Sequence, residues 1–269
     1  MEISFIMASN ETEVGALFSC SVKVEGKYLP EAFQVQSITV EQSINRITHA
    51  KVLMIDGSAS KEDFSASESK FFLPGNKVLL EAGYNNTRAP IFTGVITHMT
   101  LKVEEDLGSV LAFDCKDLAV NMTVGRQNSN FQQMTDSTII TNIINNHAGL
   151  SADVTSTSPE LKEMIQYYCT DWDFVISRAE VNGLLVSCLN GTVSVFDPLS
   201  NTAPALTVTY GDNMVSFQAE LNALTQLDKV SASAWDPDTQ AVINSAEANS
   251  HSGPGNIGSN KLSDVINVA

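Results

Sequence analysis

The sequence predicts a mainly β protein with a helical insert (α+β), in which a sandwich or barrel of antiparallel strands precedes the insert and a shorter antiparallel β unit follows it. Three observations carry this. Ala16–Asp117 breaks into six or seven short runs of apolar and β-branched residues joined by turn residues, the pattern of a sandwich or barrel. Between residues 121 and 203 the apolar spacing shifts from alternation to the three-and-four rhythm of amphipathic helices. Alternation returns after Ala205 in a shorter stretch.

In chain order, Phe18–Val24 is the first strand, and Glu25-Gly26-Lys27 turns it into Phe33–Gln42 and then Ala50–Ile55, which stops at Asp56-Gly57. Ser58–Lys70, rich in Ser, Lys, Glu and Asp, reads as a surface loop with room for one helical turn. A hairpin follows in Phe71–Thr97. Its apolar runs Val78–Tyr84 and Ile91–Thr97 flank a six-residue loop at 85–90, and Val78, Leu80, Ala82 and Tyr84 share one strand face. Pro74-Gly75 marks a turn, and Gly94 marks a place where a side chain would be in the way. The second run continues towards Val103, Glu104–Gly108 is a charged turn, and Val110–Cys115 returns as an alternating strand.

Thr135 or Asp136 caps a helix expected to reach Ala148, with Ile139, Ile140, Ile143, Ile144 and His147 on one stripe and Gly149 beyond. A second helix is expected from Ser158, with Pro159 in its first position and Leu161, Met164, Ile165 and Tyr168 as its buried face. A third starts at Thr170, with Asp173 three residues on in a capping-box relation; Trp172, Val175, Ile176 and Ala179 face one way and Gly183 follows the end. Leu184–Leu189 and Thr192–Phe196 flank Asn190-Gly191, a strong hairpin signal. Further on, Leu206, Val208 and Tyr210, then Val215, Phe217, Ala219 and Leu221, then Val230, Ala232 and Ala234 up to Trp235 give a second antiparallel unit. Asn244–Asn260 reads as a linker or long loop. Lys261–Ala269 reads as the start of a helix cut short, so that the sequence looks interrupted at Val268-Ala269.

Composition bounds the function. The chain has 269 residues, 43% apolar and 17% charged, as an ordinary globular protein does, with a net charge of −16. Only 15 Lys and Arg are present, too few to clamp a phosphate backbone, so nucleic acid is not an expected partner. Met1–Asn10 has no basic region before its apolar patch and makes a poor signal peptide, and no run reaches the eighteen or so apolar residues that span a bilayer. Cys20, Cys115, Cys169 and Cys188 form no Cys-x-x-Cys pair and read as small buried hydrophobes. His49, His98, His147 and His251 are scattered, with no nucleophile elbow and no metal-ligand spacing around them. Two acid pairs invite a glycosidase reading, Asp171/Asp173 around Trp172 and Asp236/Asp238 around Pro237. The first pair falls in the first turn of a helix, where the dipole favours acids, and the second forms a common turn. No catalytic, cofactor-binding or metal-ligating residue is expected.

An ordered set of motifs resembles the VgrG-type spike and hub proteins of contractile injection systems. The set runs through Asn45-Arg46-Ile47 with Ala50, Asp56-Gly57, Phe72-x-Pro74-Gly75, Gly83-Tyr84 and Ile91-Phe92-x-Gly94-x-Ile96. It continues with Cys115-Lys116-Asp117, Arg126 before Phe131, and Thr135-Asp136-Ser137 with Ile139-Ile140. Asp171-Trp172-Asp173-Phe174, Arg178-Ala179-Glu180 with Gly183, Tyr210-Gly211 and Ala234-Trp235-Asp236 complete it.

The resemblance implies a non-enzymatic hub of a type VI secretion system, an extracellular injection particle or a phage tail. It implies a homotrimer whose barrels form a ring that seats a hexameric, Hcp-like inner-tube protein, with baseplate proteins as neighbours. A β-needle, a PAAR-like tip and effectors would belong to a C-terminal part that these residues do not contain, and the target membrane would be met only on puncturing. Such a part would be assembled in the bacterial cytoplasm and then ejected or released without a signal peptide. Under this reading the organisation is a first β-barrel hub domain (1–120), a helical or mixed α+β segment (121–203), a smaller second β-barrel unit (204–240), and a linker with the start of a C-terminal segment (241–269). The alternatives are a carbohydrate-binding β domain and a glycoside or peptidoglycan hydrolase of a tail tip.

Overall fold

The computed structural model describes residues 4–7, 17–57, 63–85, 87–104, 108–200, 207–218, 229–245 and 248–249. It divides the chain into two compact units, one of Glu13–Ala203 and one of Met1–Thr12 with Pro204–Ala269. The fold is mainly β, with antiparallel sheets and few helices.

A first strand, β1 (Ser4–Met7), belongs to the second of these units. The larger unit begins with β2 (Phe18–Val24), β3 (Lys27–Tyr28), β4 (Gln34–Glu41), β5 (His49–Ile55), β6 (Lys77–Tyr84), β7 (Thr87–Glu104) and β8 (Gly108–Lys116). These seven strands form one antiparallel sheet in the order β3-β2-β6-β7-β8-β5-β4. Alternation sends Val22, Val24, Val52, Met54, Val78, Leu80, Phe92, Leu111 and Phe113 into one shared core, with Phe72 stacked on Phe113 at 5.1 Å between ring centroids. Strands from both ends of the sheet meet in that core, and the edge strands β3 and β4 are consecutive in the chain. Five residues have a reach of roughly 20 Å at most, so the sheet must curl towards closure into a barrel-like form.

The hairpin loop is shorter than its sequence suggests. β6 and β7 pair as far as Tyr84 with Thr87, leaving two residues between them where six were expected. Pro90 misleads here: it lies within β7 opposite Glu81, at a register shift between Leu80 and Glu81, and a bulge is a place where proline's missing N–H is tolerated. The crowding expected at Gly94 is present. A Cβ there would run into the Lys116 carbonyl oxygen and lie 2.7 Å from Phe92 Cζ. In the loop before the hairpin, residues 58–62 lie outside the described residues, and Lys70–Phe72 supplies a 3₁₀ turn. The charged turn at 105–107 also lies outside them.

A 3₁₀ segment, Leu118–Thr123, then leads into β9 (Gln127–Met134), α1 (Asp136–Asn145), β10 (Ser151–Val154), β11 (Leu161–Cys169), α2 (Asp171–Val181), β12 (Leu185–Leu189) and β13 (Thr192–Phe196). β10 runs parallel to β13, β12 antiparallel to it, and β9 with β11 forms a separate antiparallel ribbon. Ile139, Ile140, Ile143 and Ile144 of α1 and Trp172, Phe174, Val175 and Ala179 of α2 share a second core with Val186, Cys188, Val193 and Val195. Two expectations fail in this segment. The helix from Ser158 is the strand β11, held by ladder pairing to β9 from Leu161–Met134 to Cys169–Gln127. The helix α1 stops at Asn145 rather than Ala148. The Asn190-Gly191 turn is as expected, with both residues at positive φ (54° and 80°).

Of the cysteines, Cys115 and Cys188 are buried, and burial pushes the Cys115 thiol up to about 12. Cys169 is half-buried and Cys20 exposed, against expectation, because the outer end of β2 runs past the core.

In the second unit β1 pairs with β14 (Met214–Gln218), β15 (Lys229–Val230) with β18 (Ala248–Asn249), and β16 (Ser233–Asp236) with β17 (Ala241–Asn244), all antiparallel. Val208 and Tyr210, expected in a strand, lie in irregular chain and a turn; Leu206, Ala219 and Leu221 lie outside the described residues, as does the expected helix start at 261–269. The hairpin turn after Asp236 is as expected, with the Asp238 N–H donating to Asp236 Oδ1.

Candidate functional site

The polar side chains that a reader of the sequence would test for chemistry converge on four positions in the larger unit. At the first, Thr135 caps α1 by accepting from the Thr138 N–H, and Asp136 in the first turn points across to α2. Arg178 grips it in a fork, Nε to Oδ1 at 2.6 Å and Nη2 to Oδ2 at 2.8 Å, while Asn182 Nδ2 donates to Oδ2 at 2.9 Å. Burial by itself would raise the Asp136 pKa. The hydrogen bonds from Arg178 and Asn182 outweigh it and hold the carboxyl below its usual range.

At the second, His147 just past α1 meets Asp171 at the start of α2, Nε2 to Oδ2 at 2.7 Å, and the buried Gln166 donates to Asp171 Oδ1 at 2.8 Å. A carboxylate–histidine pair is two parts of a hydrolytic triad. Here the Gln166 amide binds the carboxylate, and among the described residues no hydroxyl or thiol is bonded to His147. Asp173, the other acid flanking Trp172, accepts from the Thr170 hydroxyl at 2.7 Å, while its N–H donates back to Thr170 Oγ1 at 3.1 Å. Both members of the suspected acid pair therefore have structural work.

The third position joins the barrel-like sheet to the segment after it. The Asn45 N–H donates to the Val186 carbonyl at 2.7 Å, and the Val186 N–H donates to Asn45 Oδ1 at 2.9 Å. The Thr48 N–H reaches Cys188 Sγ at 3.1 Å, and Ile47 packs on the second core. Buried Asp117 accepts from the Ala119 N–H at 2.9 Å and the Gly191 N–H at 3.0 Å. The fourth is Asp56, which accepts from the N–H groups of Gly57, Ala66 and Ser67 and so closes the loop after β5. Burial opposes ionisation there too, and those donors outweigh it and lower the pKa.

Elsewhere, His49 Nε2 sits 3.1 Å from Glu41 Oε2 on an exposed strand pair, His98 lies on β7, and His251 falls outside the described residues. Among the described residues no group of three His, Cys, Asp or Glu is placed to hold a metal, and no helix is long and apolar enough to cross a membrane. Two shallow depressions are present, about 280 Å³ beside β9 and β11 and about 250 Å³ beside β2 and β4, each smaller than most small-molecule sites. Sequence reading picked out Asn45, Asp56, Asp117, Asp136 and Arg178 as motif positions without their partners. Asp171 is a motif position as well, but its pairing with His147 and Gln166 is not foreseen by the sequence.

Comparison with known proteins gives the following. The family model of the Alg8 N-terminal domain matches residues 15–269. No curated protein matches the sequence. Among solved structures, the 43 kDa tail protein of prophage MuSo2 from Shewanella oneidensis aligns at 15% identity and a TM-score of 0.62, over 87% of this chain and 69% of that one. A tail protein from Neisseria meningitidis MC58 aligns at 16% identity and a TM-score of 0.60, over 88% of this chain and 68% of that one. A component of the Escherichia coli type VI secretion system is similar at 14% identity and 0.49, over 65% of this chain and 48% of that one, a likeness too slight to bear on the fold.

Proposed function

The chain belongs to the Alg8 N-terminal domain family and shares its fold with phage tail proteins, and from that premise we propose that it is a non-enzymatic structural hub of a contractile injection machine. The observation that carries this reading is the fold likeness to two phage tail proteins along nearly nine tenths of the chain. The motif set at Asn45, Asp117, Asp136, Asp171 and Arg178 supports the VgrG-type version of the hub. These residues hold helices, strands and the sheet in fixed relation, which is what a part under mechanical stress requires.

In this role three chains form a ring that seats a hexameric inner-tube protein on one side, with baseplate proteins around it. A spike, a tip and effectors attach through a C-terminal continuation. The part is assembled in the bacterial cytoplasm and leaves the cell when the machine fires or is released.

Light scattering on the purified protein tests this directly. The expected mass is three times the 29.0 kDa chain, with ring particles by negative stain and binding to a hexameric tube protein at micromolar concentration. A monomer at every concentration, with no binding to the tube protein, would overturn the reading.

A further inference from the structure

The β9–β11 ribbon has one face committed to the chain's own core and one that is not. Phe131, Met164 and Cys169 pack on the second core, and Gln166 is buried. On the outer side Ile165 and Tyr167 stand two residues apart, opposite Asn130 and Asn128, around the shallow depression of about 280 Å³. Ile165 is 59% exposed, Tyr167 80% and the adjoining Tyr168 61%. Among the described residues each strand has only the other as sheet partner, and both outer edges of the ribbon keep backbone groups unpaired in the sheet.

Charge identifies the occupant. Residues 127–134 and 164–170 contain no Asp, Glu, Lys or Arg, although the chain carries a net charge of −16. Two charges of opposite sign border the strip: Glu163, on the same strand face as Ile165 and Tyr167, accepts from Asn130 Nδ2 at 2.8 Å, and the Arg126 guanidinium lies 4.9 Å from the Tyr168 ring centroid. Two copies of so acidic a protein repel wherever their acidic surfaces meet, and an apolar strip whose bordering charges cancel is where a second copy can approach without that repulsion. A cationic partner would be drawn instead to the acidic surface. We propose that the outer face of the β9–β11 ribbon is the face on which a second copy of this chain docks, with Ile165 and Tyr167 at its centre. This rests on the reading of the chain as a self-assembling part and names the surface that does it.

The test is sedimentation of the full 269-residue chain over a concentration series. Tyr167→Glu and, separately, Ile165→Glu should each raise the self-association Kd at least tenfold while near-UV circular dichroism stays native. Leu73→Glu, at an exposed apolar residue elsewhere on the same unit, should leave it unchanged. Added salt should tighten association, because it screens the repulsion around a neutral contact. Hydrogen exchange of the unaltered chain should show amides of Leu161–Cys169 growing more protected as concentration rises. Association of both Glu variants at the unaltered strength, with no concentration-dependent protection of β11, overturns this inference and leaves the hub reading standing. Weakening by salt overturns it as well. An unaltered chain that never associates removes both.

Discussion

The seven-stranded sheet and the segment that follows it each bury a large apolar cluster, but they fix their geometry by different means. In the sheet, period-two alternation delivers Val52, Met54, Val78, Leu80, Leu111 and Phe113 to one side, and the ladder supplies the register. In the segment, two short helices and two small sheets have no common ladder. Their relative placement depends on point contacts: Asp136 to Arg178 and Asn182, Asp171 to His147 and Gln166, and Asp117 to Gly191. A ladder spreads its tolerance over many weak bonds. Point contacts concentrate it in a few residues, each costly to lose.

The largest effect that would break this comparison lies in the sheet itself. Gly94→Val puts a Cβ onto the Lys116 carbonyl, a backbone atom that cannot move without opening the β7–β8 ladder, so soluble folded protein should be lost. Normal yield with a native dichroism spectrum would refute the crowding. In the segment, Arg178→Ala leaves Asp136 buried with only Asn182 for support and should cost about 3 kcal/mol in urea unfolding. A loss near zero would mean that the fork does not set the helix pair.

Acid sharpens the same point. Asp136 and Asp56 are both held below their ordinary 3.8, so the stability they contribute is complete above that value and is lost as pH falls through their lower folded-state values. The thermal midpoint should therefore drop on acidification below about pH 4, and less steeply in Arg178→Ala, which has already lost the Asp136 part. The smallest effect is at the α2 cap. Thr170→Ala removes the acceptor for the Asp173 N–H and should cost about 1 kcal/mol, measured by the same denaturant series.

This contrast also explains which parts of the molecule could be read from the sequence. Strands set by alternation, the caps at Thr135 and Thr170, the Asn190-Gly191 turn and the crowding at Gly94 are all local patterns, and all are found in the structure. β11 looks helical in the sequence because Leu161, Met164, Ile165 and Tyr168 satisfy helical spacing. A strand with apolar residues on both faces does not alternate, and the left-handed backbone at Tyr168 shifts its register near the end. The hairpin loop is shorter than its sequence suggests because Pro90, a turn residue by type, sits in a bulge. The polar clusters were partly visible as motif positions, but their pairings join residues far apart in the chain. Asn45 meets Val186 across 141 positions, and Asp136 meets Arg178 across 42, separations that no local pattern records.

One feature of the sheet bears on how such a part would carry load. β7 is a single strand of 18 residues that pairs with β6 through its first half and with β8 through its second, the two ladders overlapping at Val95. Tension along β7 would load both ladders in shear, so that many bonds would have to fail together, whereas tension across the sheet would peel them one at a time. The fold therefore has a stiff direction and a soft one, and the stiff one runs along the longest of the described strands.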